Sequence, residues 1–250
     1  MANATRSSLA PSDRPFLGIL VGLKSEARLL RDLERDASVA VAVSGASSQR
    51  AAQLAEELVA KGAGALLSFG LCGALQPGLA AGDPVIPEQV LSAADAGRWD
   101  RFPVDAGWRQ ALIDDLPQPV ATRLKRADLL GCDRVIAKAA EKQALGHASG
   151  ALGVDMESHA VARVALRHGL PFLVVRACSD TAEQDLPQSA LSATAPDGSL
   201  RLAPVLAGLA RRPASLFGLL ALGRASRAAH ASLAQLARLP SLRALPRQPS

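Results

Sequence analysis

Strand-length apolar runs alternate along most of this chain with segments whose apolar residues recur at helical spacing. Pro15 to Gly22 is an apolar run, and Lys24 to Asp36 then carries Ala27, Leu29, Leu30 and Leu33 at helical spacing. Ser38 to Val43 alternates small and β-branched residues, and Ser47 to Gly62 is helical with Ser47 or Ser48 as its N-cap. Ala65 to Phe69 is a buried strand, and Pro84 to Leu91 and Val120 to Leu130 read as later ones. Trp108 to Leu116 and Ala137 to Leu145 have helical spacing, with residues 92–106 as a polar insertion. Leu152 to Val154 leads into a helix from Glu157 to His168, and Pro171 to Cys178 is the last strong strand.

Strands this apolar, each followed by a helix, predict an α/β fold. A central, mostly parallel mixed sheet is covered on both faces, giving three α/β/α layers. Beyond Asp180 the pattern changes. Residues 181–199 form a polar loop with Pro187 and Pro196, helical sequence resumes at Leu202, and a second helix runs from about Ala214 to Arg238 after Pro213. Its first half is apolar all round through Leu216, Phe217, Leu219, Leu220 and Leu222. Its second half sets Arg224, Arg227 and Arg238 against Leu233 and Leu236. The expected organisation is a polar tail at 1–14, one catalytic domain at 15–210 and a basic helical extension at 211–250.

Charge sharpens that division. The chain carries a formal +5, yet residues 1–197 carry a net −3, because the segment from Gly198 onward holds eight Arg and no acid. A basic extension of this kind suits an anionic membrane surface or an acidic partner. Nucleic acid is disfavoured as a partner because Tyr is absent and aromatics make up only 3% of the chain, which leaves little for bases to stack on. No apolar run reaches the 18 residues of a membrane span, and Met1 to Arg14 has no signal-like apolar core. The expected location is therefore the cytoplasm, with Leu216 to Leu222 either in peripheral contact with the inner membrane face or packed on the core or a partner subunit. Cys72, Cys132 and Cys178 lack disulfide or metal spacing and read as buried small hydrophobes. His147, His159, His168 and His230 form no ligand set, so no metal is expected.

In open parallel sheets ligands sit beyond the carboxyl ends of the strands. Here those ends hold Gly22 to Glu26, Phe69 to Ala74, Asp155 to Glu157 and Ser179-Asp180. Met156-Glu157 at a strand-to-helix junction and Asp180 after the next strand bring two carboxylates towards one ligand, the outline of a glycosidic-bond site. Gly70 and Gly73 permit close backbone approach to an anion or a sugar.

These segments resemble the nucleoside phosphorylase and adenosyl-nucleosidase superfamily. The likeness runs from Gly18 to Glu26, through Ser68 to Leu75 and Gly82-Asp83, to Val154-Asp155-Met156-Glu157 and Val174 to Asp180, covering about residues 15–210. The basic extension looks most like the hopanoid-associated phosphorylase branch, whose implied substrate is adenosylhopane. The resemblance implies Asp180 as the acid that protonates or hydrogen-bonds the departing purine, which burial beneath a strand end can keep protonated or primed, and Glu26 as the carboxylate that activates water. It implies Glu157 and Met156 on the ribose, Val135, Ile136 and Ser179 at the purine, with Asp133 in the same segment, and Gly70, Leu71 and Gly73 as an anion or sugar loop. Arg50 is the remaining candidate for an anion contact, within its own site or across a subunit interface, Arg176 reads as a structural ion-pair residue, and Asp155 has no assigned role. Leu71 stands where phosphorylases carry a phosphate-binding Ser or Thr. Inorganic phosphate is therefore a candidate co-substrate that competes with water, and no other cofactor is implied. The expected partners are a small or lipid-linked nucleoside and further copies of the chain. A methylthioadenosine or adenosylhomocysteine nucleosidase and a noncatalytic nucleoside-binding protein fit the same residues.

Overall fold

The computed structural model describes residues 15–94, 97–187, 197–199 and 216–246, the last segment without the side chains of 216–222. Nine strands form one sheet: β1 (Phe16–Val21), β2 (Val39–Val43), β3 (Ala63–Ala74), β4 (Pro84–Val85), β5 (Gln89–Ala93), β6 (Trp99–Pro103), β7 (Leu129–Gly131), β8 (Gly153–Asp155) and β9 (Phe172–Asp180). The strand order is β2-β1-β3-β8-β7-β5-β6, with β9 also beside β3 and β4 on β9. Five pairings are parallel, and β3–β8, β4–β9 and β5–β6 are antiparallel. The expected three-layer fold with a mostly parallel mixed sheet is what forms.

The helices are α1 (Lys24–Ala27), α2 (Ser48–Ala60), α3 (Ala106–Asp114), α4 (Gln118–Ala121), α5 (Ala139–Ser149), α6 (Ser158–Arg167) and α7 (Leu216–Leu236). Ser47 caps α2 by accepting from the Arg50 amide, so of the two candidate caps the first is used. On α2, Ala51, Ala55 and Leu58 form the buried stripe, which packs with α6 against β1 and β3. Gly18 on β1 admits this helix, since a β-carbon there would stand 3.1 Å from Leu58.

Four elements differ from the pattern-based expectation. Pro84 to Leu91 is broken at Pro87 into two strands with different partners, β4 on β9 and β5 between β6 and β7. Lys24 to Asp36 forms only the single turn of α1 and a 3-10 turn at Arg28–Leu30, because Leu30 and Leu33 are its only buried apolar residues while Arg31, Asp32, Glu34 and Arg35 face solvent. Val120 to Leu130 is not one strand. Pro119 opens the short α4, basic residues follow, of which Lys125 makes an isolated bridge to Val85, and only Leu129–Gly131 forms a strand. The polar insertion at 92–106 contains the end of β5 and all of β6, an edge strand paired to β5 alone. Its polar face meets water and Phe102 is its one buried member, so its alternation is faint.

The helical sequence expected from Leu202 lies outside the described residues. In α7 and the segment after it, Ala229, Leu233, Leu236, Leu239 and Leu242 enter the main core, and Arg224, Arg227 and Arg238 are exposed. The C-terminal segment is thus built into the sheet's own packing against β9. Trp108 Nε1 donates to the Ser241 carbonyl at 2.9 Å, and the Ser241 amide donates to Asp115 at 3.1 Å, closing the end of the chain onto α3. Between Ala229 and Leu242 the apolar face is spent on the core, while the expected apolar patch at Leu216 to Leu222 lies outside the described side chains. Among the described residues no helix is long and apolar enough to cross a membrane.

Candidate active site

The ends of β1, β3, β8 and β9 surround a cavity of about 220 Å³. Glu26, Glu157 and Asp180 all line it, each brought by a different element. Met156 and Leu71 share the wall with Val135, Ile136 and Ser179, and Gly73 closes it. Gly70 and Arg50 do not line it, and Arg50 is exposed at the start of α2. Asp133 is absent from the wall too. It lies in a neighbouring cleft, where it accepts from Ser48 and lies 3.1 Å from His159 Nε2. Among the described residues no cluster of three or more His, Cys, Asp or Glu is placed to hold a metal ion.

Three glycines give the three carboxylates their places. A β-carbon on Gly22 would stand 2.9 Å from Oε1 of Glu157, one on Gly70 would stand 2.7 Å from Oε1 of Glu26, and one on Gly73 would stand 3.1 Å from the Asp180 oxygens. Gly70 and Gly73, which the sequence assigns to close approach by a ligand, therefore make way first for the protein's own acids.

Glu26 is the third residue of α1 and reaches back over its helix start, as a carboxylate in a first turn does. Oε2 accepts from the amides of Gly22 at 2.9 Å and Leu23 at 2.8 Å, and Oε1 accepts from that of Leu71 at 2.9 Å. The Leu71 amide, expected to meet an external anion or sugar, is occupied by Glu26. Burial raises the pKa of Glu26 above the carboxylate range, against the pull of these amides and of Arg176.

Glu157 sits at the N-cap of α6 and makes no side-chain cap bond. Its carboxyl is pushed up to about 8, first by burial and then by the charge of Asp155, with Arg176 opposing. Arg176, 1% exposed, holds this side of the site. Its Nε donates to Asp155 at 2.7 Å and its Nη2 to Ser68 Oγ at 2.6 Å, while Nη2 stands 4.0 Å from Glu157. Asp155 also accepts from Ser158 Oγ at 2.6 Å, which ties β8 to the start of α6. The ion-pair reading of Arg176 matches this geometry. Asp155, which the sequence leaves without a role, is its partner.

Asp180 owes its position to a register shift between β3 and β9. Cys72 faces Cys178, yet Gly73 faces Asp180, so Ser179 is the extra residue of a bulge. Asp180 has a buried charged neighbour that its place after a strand does not announce. Lys142 of α5, with its side chain 0% exposed, forms an ion pair with Oδ2 of Asp180. Ser179 Oγ stands 2.9 Å from Oδ1. Lys142 escapes a reading of the sequence because one lysine in a helix suggests solvent. The available signal is that Ala139, Lys142 and Gly146 fall on one helical face, the narrow one that packs inward. Cys72 and Cys178 are buried and Cys132 is half-buried; burial raises all three thiols, the last two to about 12 and about 11 respectively.

The profile of the Phosphorylase superfamily matches residues 28–211. No curated protein sequence matches the chain. Among solved structures, the 5′-methylthioadenosine/S-adenosylhomocysteine nucleosidase of Neisseria meningitidis, in complex with methylthio-immucillin-A, superposes with a TM-score of 0.67 at 17% identity, covering 89% of this chain and 96% of that one. The corresponding nucleosidase of S. pneumoniae, with a transition-state inhibitor, gives 0.63 at 21% identity over 88% and 97% of the two chains. The futalosine hydrolase of Helicobacter pylori gives 0.65 at 16% identity over 89% and 97%. At these identities the likeness is one of fold.

Proposed function

Because this chain belongs to the phosphorylase superfamily, we propose that it cleaves the N-glycosidic bond of a purine nucleoside, with water as the nucleophile. The observation that carries the reading is the convergence of Glu26, Glu157 and Asp180 on one cavity. Breaking a glycosidic bond needs a group that activates the nucleophile, a negative charge beside the sugar as it turns cationic, and a proton for the leaving group. Glu26, a strengthened base held by three amides, takes the proton of the attacking water. Glu157 accepts from the ribose hydroxyls and faces the developing cation, with Met156 against the sugar. Asp180 meets the purine beside Val135, Ile136 and Ser179.

Water is favoured over phosphate by where the anion-binding groups are spent. The amides of Gly22, Leu23 and Leu71 all donate to Glu26. Four carboxylates, Glu26, Asp155, Glu157 and Asp180, line the cavity against one cation, Arg134, which is paired with Glu141. The buried cations behind the wall, Arg176 and Lys142, are likewise spent on Asp155 and Asp180, so a phosphate dianion entering this space meets few free donors.

The rest of the wall is apolar, with Leu23, Leu71, Ile136 and Leu186, which supports an apolar substituent on the sugar. Adenosylhopane is the large member of that class to which the sequence resemblance points, and methylthioadenosine is the compact one. The test is to supply purified protein with each nucleoside, with and without inorganic phosphate, and to follow adenine and the sugar product separately. Free ribosyl product formed at the same rate in both conditions is expected. A strict requirement for phosphate, with ribosyl-1-phosphate as product, overturns the choice of water.

A further inference from the structure

We propose that Lys142 is a positioning residue behind Asp180 and the source of the proton that leaves with the base; the inference rests on the glycosidase reading above. Lysine is almost never fully buried unless it is paired, and here the pairing is specific. Besides its ion pair with Oδ2 of Asp180, Nζ donates to the carbonyls of Thr181 at 2.9 Å and Gln184 at 3.1 Å. Lys142 does not line the cavity, so it reaches a ligand only through Asp180, which does. The two carbonyls aim the ammonium, the bulge at Ser179 aims the carboxylate, and Gly73 leaves room for it.

In such an ion pair the transferable proton resides on nitrogen. As the bond between the sugar and the purine breaks, its electron pair goes to the purine. Nζ passes its proton to the Asp180 carboxylate, which passes it on to a ring nitrogen of the purine. The pair is left as a neutral amine and a carboxylate. The attacking water loses its proton to Glu26, so the overall reaction adds water across the bond, and solvent restores both groups after the base has left. The amine keeps two hydrogens, which suffice for the two carbonyls.

The test compares 5′-methylthioadenosine with the 5′-methylthioriboside of 4-nitrophenol, whose leaving group departs without a proton. Wild type, K142M, K142R, D180N and the double variant K142M/D180N are assayed on both. K142M is expected to slow adenine release by about 10² to 10⁴, the usual worth of general acid catalysis, with KM near wild type. It should also raise the ratio of nitrophenol to adenine release, as D180N does, and the double variant should be no slower than D180N alone. K142R keeps a cation and donors for the carbonyls but does not give up a proton, so it should be as slow as K142M and reads the proposal even if K142M fails to fold.

Equal slowing of both substrates, unchanged adenine release in K142M, or recovery in K142R overturns the inference and leaves Lys142 as a tie between α5 and the segment after β9. Wild-type protein that releases neither leaving group overturns the glycosidase reading itself, a result distinct from any of these.

Discussion

The Glu26 carboxylate occupies the space that a β-carbon on Gly70 would take, its three atoms lying 2.7 to 2.9 Å from that point. Gly70→Ala should therefore push Glu26 off the amides of Leu23 and Leu71. A displacement of about 1 Å at a reacting group costs on the order of 10² in rate, and that is the expected fall in kcat. Gly107→Ala, where the new carbon meets only Asp105 at 3.6 Å, is the control and should turn over like wild type. Equal activity of both variants removes Glu26 from the chemistry.

The Glu157 carboxyl is pushed up to about 8, and its ionised form is the one that can face a cationic sugar. Initial-rate measurements across pH should show kcat/KM rising and levelling off above about 8, and E157Q should be slow without that rise. Stability runs the other way. The native state holds this proton more tightly than the unfolded chain, so stability falls as pH rises from the ordinary 4.5 towards about 8. Urea midpoints at the two ends of that window should differ less in E157Q than in wild type.

Arg176 pairs with Asp155 at a place where both are buried. Removing one partner of such a pair strands the other charge, at a cost of about 3–5 kcal/mol. R176M should lose stability on that scale in urea unfolding, and R176M combined with D155N should regain part of it. Because Arg176 pulls the Glu157 carboxyl down, R176M should also move the kcat/KM rise to higher pH. A variant that is destabilised without that movement would separate Arg176 from the site.

Leu233 on α7 is 0% exposed and belongs to the main core. Leu233→Ala should cost about 2–5 kcal/mol, as buried leucine truncations do, read as a lower urea midpoint. A change near zero would mean that the C-terminal helix is an appendage and not part of the fold.

The strands that carry the site were legible because they are buried on both faces. Phe16 to Val21 and Phe172 to Cys178 read as near-continuous apolar runs. β6 was not, since a single buried Phe102 on an edge leaves no run to detect. Glu26, Glu157 and Asp180 could be named from their places after strands. Arg50 does not line this cavity, and a lone Arg near a helix start carries no information about which way the helix faces.

The amino-acid sequence by itself determined the layered α/β architecture and the set of acids at the strand ends, because apolar period and strand-end position are local properties of the chain. Only the tertiary structure decided what each acid touches. Lys142 meets Asp180 across 38 residues, Arg176 meets Asp155 across 21, and Leu71 meets Glu26 across 45. A buried charge takes its properties from neighbours within a few ångströms, and those neighbours are chosen by sheet register and helix packing, not by spacing along the chain.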